Sequence, residues 1–277
     1  MRMASFAAFT LVFVACHEAP ALVRQGRKVA LAGELSRTFA KSVEAEKSAV
    51  LATTDEESER FAAESKSASQ EVNRLLSELS TLSAEDARPR EKERLDAFSA
   101  AWAKVAAIDA RLLPLAVANT NLKAAHLSTH QGAAALEKLL SGLDAMEEAT
   151  KDPKRIRELA RAEVAALTIQ TLHAPHIASA DDAEMTTLEA RIHTLEGTVE
   201  AAIASAGDRV PQAKDARAAW EEYRDDTAEI LKLSRENTNV LSFSISVHEK
   251  REASVAAEVA LQALIGEVQN DGPRPTR

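Results

Sequence analysis

Apolar residues recur at steps of three and four along most of the chain, with polar or charged residues between them. Val72, Leu75, Leu76, Leu79 and Leu82 make one such series, and Phe98, Trp102, Val105, Ile108 and Leu112 make another. Leu136, Leu139, Leu143 and Met146 follow, then Ile156, Leu159, Leu167, Ile169 and Leu172, then Met185, Leu188, Ile192, Leu195 and Val199. Trp220, Tyr223, Ile230 and Leu231 precede a final stretch from Val240 to Val268. This spacing lines one face of an α-helix, so each series predicts a helix with a single buried stripe. The boundaries are marked by residues that start or stop helices. Thr54-Asp55-Glu56-Glu57 reads as a cap followed by an acidic first turn, and Asp152-Pro153 as a cap and first position. Pro89 and Pro211 suit first turns, Asp181 or Asp182 opens another helix, and Pro175 is expected to close one.

The series repeat. Asn119-Thr120-Asn121 and Asn237-Thr238-Asn239 each stand 17 residues after a tryptophan, Trp102 and Trp220, at a period of 118 residues. Residues 100–146 slide onto 218–264 without a gap, which sets Leu113 on Leu231, Ser128 on Ser246, His130 on His248 and Leu143 on Leu261. Four helices with short turns fit that period. The predicted fold is all-α: two tandem antiparallel four-helix bundles, residues 29–149 and 153–270, with a tail at 271–277. Composition agrees, since Gly and Pro number eight each and aromatics are 4%, leaving little from which to build a sheet.

The first residues differ. A short basic start, an apolar run from Ala4 to Val14, and Phe13-Val14-Ala15-Cys16 resemble a bacterial lipoprotein signal peptide over residues 1–15. That resemblance implies a lipid on Cys16, a polar leader over 16–28, and export to the periplasmic side. His17 rather than Asp after the cysteine favours the outer membrane. The alternatives are a plain secretory signal or a buried free thiol. The run is too short for a membrane span, and a single cysteine excludes an internal disulfide.

Glu46 to Asp55, the leucine-rich second helix, Trp220-Glu221-Glu222-Tyr223 and the alanine-rich last helices resemble the four-helix-bundle sensor domain of methyl-accepting chemotaxis receptors, in a tandem, bimodular form. The resemblance implies a sensory module for a small, anionic ligand. The chain departs from those receptors in having neither a second transmembrane helix nor a cytoplasmic signalling segment.

Charge and motifs narrow the function. The formal charge of -9 is spread as mixed Glu, Lys and Arg, and no basic stripe with interleaved aromatics suggests nucleic-acid binding. No phosphate loop, Gly-x-Ser-x-Gly elbow or Glu-x-x-His pair occurs, so neither catalysis nor a cofactor is expected. His126 and His130 have the i, i+4 spacing of a metal chelate, but solvated histidines explain them and no metal site is predicted. His173-Ala174-Pro175-His176 reads as a loop at a helix end. The Asn-Thr-Asn tripeptides read as hairpin turns, with a continuous helix as the alternative. Gly132 to Ala135 and Ala253 to Ala257 thin the apolar stripe, either for close helix packing or for a small ligand. In the second case Ser128, His130, Ser246 and His248 are the expected inward hydrogen-bonding groups. The expected partners are the membrane, through the lipid, and a small ligand, an envelope protein or a second copy. A purely structural interaction protein is the rival reading.

Overall fold

The computed structural model describes the backbone at residues 8–86, 88–206 and 211–270, and the side chains at residues 21–86, 88–205 and 211–270. Among them there is no strand. The helices are α1 (Ala8–Leu51), α2 (Asp55–Asp86), α3 (Pro89–Ala118), α4 (Thr120–Leu127), α5 (Ala133–Glu148), α6 (Pro153–Ala178), α7 (Asp182–Ala206), α8 (Pro211–Glu236), α9 (Thr238–Ile245) and α10 (Arg251–Asn270). A π-helical turn, Ser128–Gly132, joins α4 to α5, and its repeat, Ser246–Lys250, joins α9 to α10. The expected caps form. Thr54 accepts from the Glu57 amide at 3.2 Å, Asp152 from Lys154 at 2.9 Å and Asp181 from Ala183 at 2.8 Å, each satisfying an amide that the first helical turn leaves free.

Two differences concern helix ends. Cys16 lies on the α1 backbone, but its side chain, the signal segment before residue 8 and the tail at 271–277 fall outside the described residues. The leader is no separate segment, because α1 runs through it and buries Gln25 and Lys28. Lys28 is held there by Asp86 at 2.6 Å and Glu91 at 3.0 Å. Helix α6 likewise continues past Pro175 to Ala178, so the His173 segment is helical and both its histidines are buried.

The larger difference is in how helices share bundles. The described residues up to Val117 and those from Phe243 onward make one compact unit, and Ala118–Ser242 make the other. The first unit therefore contains α1, α2, α3 and α10, and the second contains α5, α6, α7 and α8. Each is a four-helix unit, as predicted, but the boundaries at 29–149 and 153–270 are not those of the units: the fourth helices are exchanged. The duplication itself explains why. The fourth stripe of either repeat has the same register and similar side chains, so each complements the first three helices of the other repeat as well as its own.

In the first unit Leu35, Val72, Leu75, Leu79, Phe98, Val105, Leu261, Leu264 and Val268 form the main apolar cluster. Phe39 meets Phe98 and Trp102 edge-on, with centroids 6.3 and 5.9 Å apart, a favoured aromatic geometry. The Trp102 indole donates to Asn73 at 2.7 Å. In the second unit Leu139, Leu143, Leu159, Ile169, Ile192, Val199, Trp220 and Tyr223 form the core. There α5 and α8 approach closely because Gly142 lacks a side chain; a Cβ at that position would lie 2.9 Å from Ala216.

The Asn-Thr-Asn tripeptides are not hairpins. Asn119 (φ 52°) and Asn237 (φ 53°) each break a helix with one left-handed residue, a conformation asparagine tolerates. After Asn119 the chain continues in the second unit. Within that unit the two copies bind each other reciprocally. The Thr120 amide donates to the Thr238 hydroxyl at 3.0 Å and the Thr238 amide to the Thr120 hydroxyl at 3.2 Å. The Asn121 amide donates to Asn239 Oδ1 and the Asn239 amide to Asn121 Oδ1, both at 3.1 Å. Asn121 and Asn239 side-chain amides then reach Asn237 Oδ1 at 2.8 Å and Asn119 Oδ1 at 2.9 Å. The duplicated motif caps the start of α4 and of α9 with its own copy, which satisfies the backbone groups that the two breaks release.

Candidate functional site

Each unit carries a layer of polar side chains across its core, and the π-helical turn supplies one side of it. A π turn adds a residue to a helix and shifts the faces that follow, a local cost often found where side chains are positioned for a task. Ser128 and Ser246, the serines expected to face inward, are each only 5% exposed. His130 and His248, expected beside them, are exposed. Residues two apart on a helix point about 200° apart, so serine and histidine cannot share a face. His130 stacks instead on His126, with ring centroids 4.1 Å apart and planes inclined by 11°. Parallel stacking does not converge the ring nitrogens on one ion. Among the described residues no group of three His, Cys, Asp or Glu is placed to hold a metal.

In the second unit Ser128 meets His173 Nδ1 at 3.0 Å. The Gln170 amide donates to the Ser128 carbonyl at 2.9 Å and to its hydroxyl at 3.2 Å, while the Tyr223 hydroxyl donates to Gln170 Oε1 at 3.2 Å. With its oxygen already accepting from Gln170, the Ser128 hydroxyl is free to give its hydrogen to Nδ1. In that arrangement the ring proton of His173 sits on Nε2, which has no partner within the chain. Burial, with a smaller contribution from His176, lowers the His173 pKa to about 4. Its neighbour His176 is also buried, between Ser234 at 2.8 Å and Glu189 at 3.0 Å. Arg235 binds the same Glu189 carboxylate at 2.7 and 2.9 Å and, with His176, holds its pKa down.

The first unit has an ionic counterpart. Its layer lies between the main apolar cluster and a smaller one made by Ala49, Val50, Leu112 and Ala116. Glu46 comes from α1, Ser65 and Ser69 from α2, Asp109 from α3, and Ser246 and Lys250 from the π turn before α10. Lys250, 1% exposed, donates to Asp109, 5% exposed, and Glu46 is fully buried. Asp109 Oδ2 has no hydrogen-bond partner within the chain, and Glu46 stands beside the Ser246 hydroxyl. Burial raises the pKa of Glu46, against the pull of Ser246 and Lys250; burial raises that of Asp109 too, against Lys250. The serines complete the layer, with Ser42 and Ser69 hydroxyls 2.9 Å apart and Ser65 donating to the Ser42 carbonyl at 3.1 Å.

The layers are equivalent by sequence. Asp109 and Lys250 are displaced by the 118-residue period from Thr227 and Gly132. Caps Thr54 and Asp181 are 127 residues apart, and the same offset sets Glu46 on His173. Glu46, Asp109, Lys250, His173 and Gln170 were not among the expected site residues. The signal for Asp109 was present, because it continues the series Phe98, Trp102, Val105 toward Leu112 at a position otherwise apolar.

Two grooves border the ionic layer. One, of about 540 Å³, lies between α2 and α3 and is lined by Ala62, Ala63, Lys66, Ser69, Ala106, Asp109, Ala110, Leu113, Pro114 and Val117. The other, of about 360 Å³, lies between α1 and α10 and includes Lys250 from the π turn and Ser254 and Val255 from the alanine-rich stretch of α10. The equivalent stretch of α5 is packed, with Ala135 fully buried.

No family model and no curated protein matches the chain. Among solved structures it is similar to the sensor domain of the histidine kinase sensor TorS from V. parahaemolyticus, with a TM-score of 0.56, 13% identity, and coverage of 88% of this chain and 99% of that one. At that identity the likeness is one of fold: the chain shares the helical architecture of that domain. Among the described residues no helix is long and apolar enough to cross a membrane.

Proposed function

We propose that this chain is a lipid-anchored sensory or ligand-binding module of the bacterial envelope, exported to the periplasmic side and acting by binding rather than catalysis. The observation that carries the reading is the fold, which is shared with a histidine kinase sensor domain over nearly the whole of that domain. The buried polar layers support it as well. A helical protein with only a scaffolding task gains little from charges placed across its core, since apolar residues of similar size are usually at least as stabilising there. The lipoprotein-like sequence before Cys16 supports anchoring, and His17 favours the outer membrane.

Two measurements test the reading. Wild type and Cys16→Ser should differ in fatty-acid labelling and in membrane fractionation; equal behaviour without label removes the anchor. Separately, the melting temperature should rise with a small molecule that binds the native state. A panel of carboxylic acids, amino acids, amines and divalent metals that leaves it unchanged removes the ligand-binding reading. The second reading, an interaction protein, is favoured by apolar residues left exposed on α6 and α10, where Val164, Leu167, Val255 and Val259 are 47–66% exposed.

A further inference from the structure

We infer that the groove between α2 and α3 is a binding site for a small organic cation, a protonated amine on a compact apolar body, whose ammonium is received by Asp109. The inference rests on the ligand-binding reading and assigns it a place and a chemical class.

The argument begins with hydrogen-bond capacity. In the layer beside the groove, two carboxylates face one ammonium. Lys250 takes up Asp109 Oδ1, and Asp109 Oδ2 remains without a partner in the chain. A buried acceptor without a donor is costly, and it favours any ligand that brings N–H groups and positive charge. Asp109 is the member of the layer that also lines the groove. It is 95% removed from solvent, so an ammonium meeting it there interacts in a medium less polarisable than water and gains more than at an exposed carboxylate.

The rest of the lining selects the body of the ligand. Ala62, Ala63, Ala106, Ala110, Leu113, Pro114 and Val117 are apolar, and alanines on both helices leave the space that larger residues would fill. The volume of about 540 Å³ suits a small molecule with a ring or branched chain. Lys66 is the one cation of the lining and is exposed, so water screens it where Asp109 is unscreened.

The second unit provides an internal contrast. At the position of Asp109 it has Thr227, at that of Lys250 it has Gly132, and at that of Glu46 it has His173. None of these three replacements is a carboxylate. At the position of Asp109 the two units therefore divide: the first has the acceptor, and the second does not. This departs from the expectation that the duplicated serines and histidines mark paired sites.

The test uses the full chain at neutral pH with cyclohexylamine and benzylamine as hydrochlorides, against cyclohexanol and cyclohexanecarboxylate as bodies of similar size without the positive charge. The amines should raise the melting temperature and give a saturable heat by calorimetry, and the two controls should not. Asp109→Asn should weaken amine binding by about tenfold to a hundredfold, as the loss of one charge-assisted hydrogen bond predicts. Because that substitution also leaves Lys250 without its partner, Ala110→Leu is the second variant: position 110 is exposed and lines the groove, so a leucine there fills the site while the core stays intact. It should weaken amine binding at least as much. Amine binding that both variants retain at wild-type strength overturns the site. A response to carboxylates or metals with none to amines overturns the cation assignment while the ligand-binding reading stands. No response to any compound removes both.

Discussion

Acidification should destabilise the second unit through His173, and the size of the effect follows from its surroundings. The ring is fully buried, its Nδ1 is bonded to Ser128, and burial lowers its pKa from 6.5 to about 4. In the unfolded chain the same ring takes up a proton near its ordinary pKa. Between these values the unfolded state binds more protons than the folded one, so stability rises with pH across that window. The neutral ring's contribution is complete above pH 6.5 and is lost as pH falls toward 4. Each pH unit within the window is worth about 1.4 kcal/mol, so the loss between pH 7.5 and 5 is about 2 kcal/mol. Glu46 and Asp109 act with the opposite sign. Their raised pKa values mean that the folded state holds protons more tightly, so their contribution is present at low pH and falls as pH rises through the folded values. A melting curve of the wild type alone therefore mixes the two effects. The informative quantity is the difference between wild type and His173→Gln, whose amide keeps a hydrogen-bonding group near Ser128 but does not titrate. Urea unfolding monitored by Trp220 fluorescence in a Trp102→Phe background reports on the second unit. The His173→Gln protein should lose about 2 kcal/mol less than its parent between pH 7.5 and 5. Parallel pH profiles in the two proteins would refute the account, because they would mean that the folded and unfolded rings bind protons alike.

Other expectations follow from packing and hydrogen bonding. Gly142→Ala places a methyl group 2.9 Å from the Ala216 backbone and should cost about 1 to 3 kcal/mol by denaturation, whereas Gly197→Ala, in open space on α7, should stabilise by up to about 1 kcal/mol. Asn119→Ala and Asn237→Ala each put alanine in a left-handed conformation and remove a side-chain bond, for about 2 kcal/mol apiece; because both residues serve one network, the double variant should depart from the sum by more than about 0.5 kcal/mol, measured as a double-mutant cycle. Lys28→Ala leaves Glu91 fully buried without its cation and should cost about 3 to 5 kcal/mol, and the pair Lys28→Met with Glu91→Leu should recover most of it in the same assay.

The stripes, caps and helical class were legible because they are local. Val72, Leu75, Leu79, Phe98, Trp102 and Val105 are buried where their spacing places them, and Thr54, Asp152 and Asp181 cap the helices they precede. The partners of the fourth helices were not legible, because the period that reveals the duplication also makes its parts interchangeable. Leu143 and Leu261 occupy the same register, and nothing in either stripe states which set of three helices it will join. The site depended on that choice. Lys250 reaches Asp109, and Ser128 reaches His173, only with the helices exchanged, so these pairs could not be found by reading each repeat as a closed bundle. The error at His130 and His248 was of a different kind. A helix rotates about 100° per residue, which already separates them from Ser128 and Ser246 without any knowledge of tertiary structure.

The divergence between the layers bears on why the ionic one exists. A lysine at position 132 would meet Thr227 and His173, with no carboxylate at either equivalent position, and an aspartate at 227 would meet Gly132. Either change alone buries an unpaired charge, at a cost large beside the marginal stability of a domain. Lysine and aspartate are thus useful only together, and together they bring Glu46 and the unpartnered Asp109 Oδ2 into the same layer. Stability does not require that arrangement, since the second unit has no ion pair at the equivalent positions and places Gly132 near Ile230. The two halves share a backbone plan and a set of stripes, yet at the position of Asp109 only the first has a buried acceptor, and it lies beside an open groove. A binding task confined to that half accounts for the asymmetry; packing alone favours the neutral solution in both.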